Sequence, residues 1–204
     1  MTIKANTLSN ILSYTPKEAH IFLCDVADRY DFQLNVSRSR ATKYGDYRAP
    51  FGVLGHRISI NENLNSYSFL LTLVHEISHL MVWEAYKRTV KPHGTEWKSV
   101  FRNQMEIVYA LNVFPKELTE VIKKSMKNPR ATAHADEDLA IALRYYDEKT
   151  NSVFLNELEH DTLFTVPKGQ TFLKGKKLRT RYKCKELNSG KSYLFSPLAE
   201  VIPV

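Results

Sequence analysis

At 204 residues, with 43% hydrophobic residues and a formal net charge of +7, the chain can bury one main core plus a smaller appendage and is too apolar for a disordered tail. Two cysteines, Cys24 and Cys184, exclude a disulfide framework and fit a reducing compartment, each packing as a small hydrophobe. The opening Met1-Thr2-Ile3-Lys4-Ala5-Asn6 lacks the apolar run of a secretion signal, and no stretch approaches the roughly eighteen apolar residues of a membrane span. A cytoplasmic protein with no membrane partner is expected.

In chain order, Thr15-Pro16-Lys17-Glu18 combines an N-cap, a first-turn proline and a capping-box glutamate, predicting a helix to about Tyr30. Alternating segments at 33–37, 42–47 and 57–60 read as a small sheet. Asn65 or Ser66 caps a long helix to about Tyr86, and helices follow over 95–111 and 115–126. Lys127-Asn128-Pro129 and the small residues after it break the periodicity as a linker. The division expected is therefore 1–127 and 128–204, with no internal repeats.

The long helix contains Leu73-Val74-His75-Glu76-Ile77-Ser78-His79-Leu80-Met81. Histidines four apart share one helix face and can reach a single metal ion, with Glu76 beside them as a base. The same run is apolar on most of its surface and should be buried. An unpaired polar group there would cost roughly 1–3 kcal/mol and an isolated carboxylate more, so two histidines and a glutamate together argue for a compensating ion.

A zinc site that does chemistry has three protein ligands and one open position. His93 is the third candidate, in Lys91-Pro92-His93-Gly94-Thr95-Glu96-Trp97: Pro92 and Gly94 bracket a turn, and Trp97, Phe101 and Met105 repeat every fourth residue on a second helix beginning there. His20, His56, His134 and His160 are expected in surface or packing roles. No oxyanion stabiliser is identifiable; Tyr44 and Tyr47 are available, with packing as their expected role.

His75-Glu76-Ile77-Ser78-His79 followed by His93-Gly94-x-x-Trp97-Lys98, with Tyr44-Gly45-Asp46-Tyr47 and Gly55-His56-Arg57-Ile58-Ser59-Ile60-Asn61 upstream, resembles the SprT-like metallopeptidase domain, a family that includes the Spartan proteases. The resemblance spans roughly residues 15–126. It implies a minimal gluzincin-like α+β peptidase domain holding one Zn²⁺ on His75, His79 and His93, with Glu76 as general base. For the eukaryotic relatives it further implies degradation of proteins crosslinked to DNA. Many bacterial relatives end in a zinc ribbon of two Cys-x-x-Cys pairs; here Cys184 stands alone with Leu187 at the partner position. A small β-rich module, ribbon-like or SH3-like and held by packing, is expected instead.

Charge is segregated in this C-terminal part. Between residues 131 and 166 eight acids oppose Arg144 and Lys149, whereas from Lys168 to Lys191 nine basic residues oppose Glu186. Lys174, Lys176, Lys177, Arg179, Arg181 and Lys183, interleaved with Phe172, Tyr182 and Tyr193, form the pattern of a surface that takes phosphates and stacks bases, here of single-stranded or damaged DNA. The function expected is a DNA-associated zinc endopeptidase acting on a protein or peptide substrate. The alternatives are a zinc peptidase without a DNA role and a non-enzymatic, zinc-containing DNA-binding adaptor; a closed structural site would have no use for Glu76.

Overall fold

The computed structural model describes residues 3–40, 43–130, 136–148, 151–167 and 169–204. His134, Lys168 and linker residues 131–133 lie outside them. Helices α1 (Ile3–Tyr14) and α2 (His20–Tyr30) lead to β1 (Phe32–Ser37), β2 (Gly45–Arg48) and β3 (His56–Asn61). Then come α3 (Ser66–Tyr86), α4 (Thr95–Ala110), α5 (Lys116–Met126) and α6 (Glu137–Arg144). The rest is β4 (Val153–Phe154), β5 (Leu163–Thr165), β6 (Thr171–Leu173), β7 (Tyr182–Glu186), β8 (Ser192–Phe195) and β9 (Glu200–Pro203). The class is α+β, as the sequence led one to expect.

The first sheet has the order β1-β3-β2, with β1 parallel and β2 antiparallel to β3. Its edge at β1 is covered by α1, which the sequence reading did not anticipate. The Thr7 hydroxyl donates to the Phe32 carbonyl at 3.1 Å and accepts the Leu34 N–H at 3.0 Å, while Asn10 donates to the Leu34 carbonyl at 2.8 Å. Side chains thus occupy backbone groups that would otherwise be an open edge. Thr15 is not an N-cap: its hydroxyl donates back to the Ile11 carbonyl at 2.6 Å, closing α1. A 3₁₀ turn over Lys17–Ala19 precedes α2.

Helix α3 forms as expected because Asn65 caps it, its side-chain oxygen accepting the N–H groups of Tyr67 and Ser68. Leu70, Leu71, Leu73, Val74, Ile77 and Leu80 are fully buried, and the helix packs against α1, α4, β2 and β3. A helix apolar nearly all round belongs in the centre of a domain.

The chain divides into Met1–Asp147 and Glu148–Val204, later than the boundary expected at 127. The reason is α6, whose Leu139, Ala140 and Leu143 are buried and which packs on α5. Asn65 also donates to the Leu143 carbonyl at 3.0 Å, tying the end of α6 to the start of α3. In the second unit an antiparallel sheet of order β4-β9-β5-β6-β7-β8 closes over Leu155, Phe164, Phe172, Cys184 and Val201. Among the described residues no helix is long and apolar enough to cross a membrane.

Candidate metal centre

His75 and His79 project from one face of α3, and His93 reaches them from the turn before α4. The three Nε2 atoms lie 3.0 Å (His79 to His93), 3.1 Å (His75 to His93) and 3.3 Å (His75 to His79) apart. Three nitrogens held tetrahedrally at 2.0–2.1 Å from one ion would be about 3.3 Å apart, so the triad has the dimensions of a zinc site. His93 adopts φ 56°, the left-handed region that His enters more readily than most residues. Gly94 follows as the N-cap of α4, and a Cβ there would lie 2.9 Å from the Lys91 carbonyl. The turn therefore needs this glycine to turn His93 inward.

Beneath the triad lies Trp97, fully buried, with ring centroids 4.5, 5.2 and 4.7 Å from those of His75, His79 and His93. It stacks on Phe101 at 4.9 Å. This floor excludes water and holds the rings neutral. Burial, with the neighbouring imidazoles adding to it, depresses His75 to a pKa of about 2 and His79 to about 3, and burial likewise lowers His93. A neutral imidazole is the ligand form.

Glu76 is also buried, 7% exposed. Its pKa is pushed up to about 8, by burial first and then by the charge of Asp46, against the Tyr47 backbone N–H that its carboxylate accepts. Strand β2 approaches very closely: a Cβ on Gly45 would lie 2.6 Å from both Glu76 Oε1 and Thr72 Cγ2. Asn61, at the end of β3, fixes the approach by donating to the carbonyls of Arg40 at 3.2 Å and Lys43 at 3.0 Å. Gly45→Ala should therefore destabilise the metal-free chain by about 1–3 kcal/mol through overpacking, visible as a lower Tm. An unchanged Tm would mean that β2 and α3 separate freely.

The three histidines, Glu76, Tyr44, Gly45 and Tyr47 line one cavity of about 530 Å³. Tyr47 is more than packing. Its ring lies parallel to that of His79 (6.4 Å, 7°), and its hydroxyl lies 2.8 Å from His56 Nδ1. His56 in turn reaches Glu84, so it is not a plain surface residue either. The sequence signal for Tyr47 was its place before a motif helix; nothing local tied it to His56 or Glu84.

The basic residues of the second unit separate into two groups. Lys176, Lys177, Arg179, Arg181 and Lys183 are exposed. Lys174 is 3% exposed; its ammonium donates to the Leu158 carbonyl and sits 4.3 Å over the Tyr182 ring. It braces the module and is withdrawn from any phosphate, contrary to the sequence reading. Phe172 is likewise a core residue, stacked on Phe164 at 5.6 Å, and cannot stack on bases. Tyr193 sets its ring edge against Phe172.

Among the described residues, His75, His79 and His93 form the group of His, Cys, Asp and Glu side chains able to hold a metal ion. No curated protein and no solved structure matches the chain significantly. Residues 23–120 match the model of the SprT-like family, and the chain accordingly carries a SprT-like domain, of a metallopeptidase-like family.

Proposed function

We propose that the chain is a zinc-dependent endopeptidase acting in association with DNA. The observation that carries the peptidase reading is the convergence of three neutral imidazole Nε2 atoms, 3.0–3.3 Å apart, with a buried carboxylate in the same cavity. Three lone pairs aimed at one point repel unless a cation lies between them, so the donor set fits a dication that favours nitrogen ligands. His75, His79 and His93 would hold it. When bound, zinc supplies a Lewis acid that polarises a peptide carbonyl, makes water nucleophilic near neutral pH and favours the ionised form of Glu76.

Glu76 is the base. Its carboxylate is anchored by the Tyr47 N–H, which leaves further lone pairs to take a proton from the attacking water and pass it to the leaving amine. Trp97 and Phe101 keep the floor dry, and Gly45, with no Cβ, lets β2 lie close against the carboxylate. Hydrolysis of casein that is lost on chelation, and restored by zinc but not magnesium, is the expected result. Activity indifferent to chelation would remove the metal from the reading.

The DNA association is supported by the exposed run Lys176, Lys177, Arg179, Arg181 and Lys183. Neutralising Lys176, Lys177, Arg179 and Arg181 to Gln should reduce the salt dependence of binding to a single-stranded oligothymidylate, the log-log slope falling by about 3. The same slope in the parent and the variant would separate the peptidase from any DNA role of this module.

A further inference from the structure

Beside the histidine triad runs a hydrogen-bonded chain across three elements: Glu84 on α3, His56 on β3 and Tyr47 on β2. His56 Nε2 is 3.2 Å from Glu84 Oε1, and His56 Nδ1 is 2.8 Å from the Tyr47 hydroxyl. Glu84 is also paired with Lys87 at 3.0 Å, and the hydrogen bond from that ammonium holds its carboxyl below the usual range. An ionised carboxylate only accepts, so Nε2 carries the hydrogen. Burial keeps His56 neutral despite Glu84, which leaves Nδ1 bare. The Tyr47 O–H must then donate to Nδ1, which leaves only acceptor capacity on the phenolic oxygen of a residue that lines the cavity with His75, Glu76, His79 and His93.

Three features point this acceptor at a peptide backbone. Tyr47 lies on β2, which among the described residues pairs only with β3 and so forms an edge of the sheet. Its ring is parallel to that of a histidine in the triad. Its own backbone N–H holds the carboxylate of Glu76, so one residue touches both the triad and the base. A group that can accept but not donate selects an N–H, and an extended chain supplies one from each residue other than proline.

We infer that Tyr47 is a substrate-contacting residue that accepts one backbone N–H of a peptide in the cavity, and that His56 and Glu84 are positioning residues fixing its hydroxyl in the accepting state. This rests on the peptidase reading. Glu84 holds the tautomer of His56, His56 holds the proton of Tyr47, and the oxygen registers the peptide beside Glu76.

The test uses the zinc-loaded full chain and a peptide spanning one casein cleavage site, methylated at one backbone nitrogen at a time. In the parent, one position should carry a penalty in kcat/KM of about tenfold, the worth of one hydrogen bond. In Tyr47→Phe the unmethylated peptide should lose a similar factor and that penalty should shrink to about twofold. His56→Leu should reproduce this pattern with zinc content unchanged. Independently of turnover, nitrogen-15 NMR of the metal-free full chain should show His56 as the Nε2–H tautomer, with Nδ1 shifting in Tyr47→Phe and Nε2 holding still. Turnover with equal methylation penalties in parent and Tyr47→Phe overturns the inference alone, as does an Nδ1–H tautomer. Absence of any turnover by the parent overturns it together with the peptidase reading.

Discussion

Glu76→Gln should keep the zinc stoichiometry of the parent and lower peptide hydrolysis by at least about a hundredfold, the low end of what a general base contributes. The change is nearly isosteric, so Gly45, which lies close against this side chain, meets the same volume. An amide oxygen can still accept the Tyr47 N–H, preserving the hydrogen bond that anchors the side chain. What is lost is the capacity to carry a proton. The variant should even fold slightly more easily, because a neutral amide replaces a carboxyl that burial and Asp46 oppose ionising. Turnover within about threefold of the parent would exclude Glu76 as the base, since proton transfer contributes far more than that.

Metal and protons should both move the stability of the first unit, in ways that can be worked out. Zinc at a thousandfold its Kd should add about 4 kcal/mol by mass action, raising Tm by about 8–16 °C for a chain of this size. His93→Ala should lose most of that rise, because the site would fall to the two ligands of α3. Without metal, the folded pKa values of His75 (about 2) and His79 (about 3) lie below the usual 6.5, so acid favours the unfolded chain. Their contribution is complete above pH 6.5 and is lost as pH falls. Glu76, raised to about 8, acts oppositely between 8 and 4.5, binding its proton in the folded state. From these three groups the difference is about one proton between pH 6.5 and 4.5, or roughly 1.4 kcal/mol of stability lost per pH unit, and about two protons below that, with His93, also lowered, adding in the same direction. Thermal melts of the metal-free chain from pH 7 to pH 4 should show Tm falling throughout the acid limb and falling faster below pH 4.5. A flat profile would mean that the histidines are not held neutral.

Much of the site was legible because its chemistry is local. Residues four apart on a helix meet by geometry alone, so His75 and His79 could be paired from their spacing, and Asn65 marked where their helix begins. His93 was visible through the Pro92 and Gly94 turn, although the left-handed backbone that aims it inward was not. The Tyr47, His56 and Glu84 chain joins two strands to a helix, and no periodicity encodes such a meeting. Helix α1 escaped notice because its main service is through Thr7 and Asn10, polar residues that close a sheet edge and leave little apolar pattern. The residues of α6 fell beyond the expected boundary because an Asn-Pro break reads as a linker, whereas Leu139 and Leu143 return to the first core. Lys174 was readable after all: it shares the period-2 face of Phe172, so strand alternation puts it inside, but the surrounding lysines drew it into a surface patch.

The central claim, that this chain hydrolyses peptide bonds with a metal on His75, His79 and His93 and a proton relay through Glu76, is tested most directly by counting new amino termini in casein. The zinc-loaded full chain would be compared with the same chain after chelation and with zinc-loaded Glu76→Gln. New termini from the first alone are the result predicted here. The same number from all three, or none from a zinc-loaded parent whose three histidines are shown to hold the ion, would contradict it.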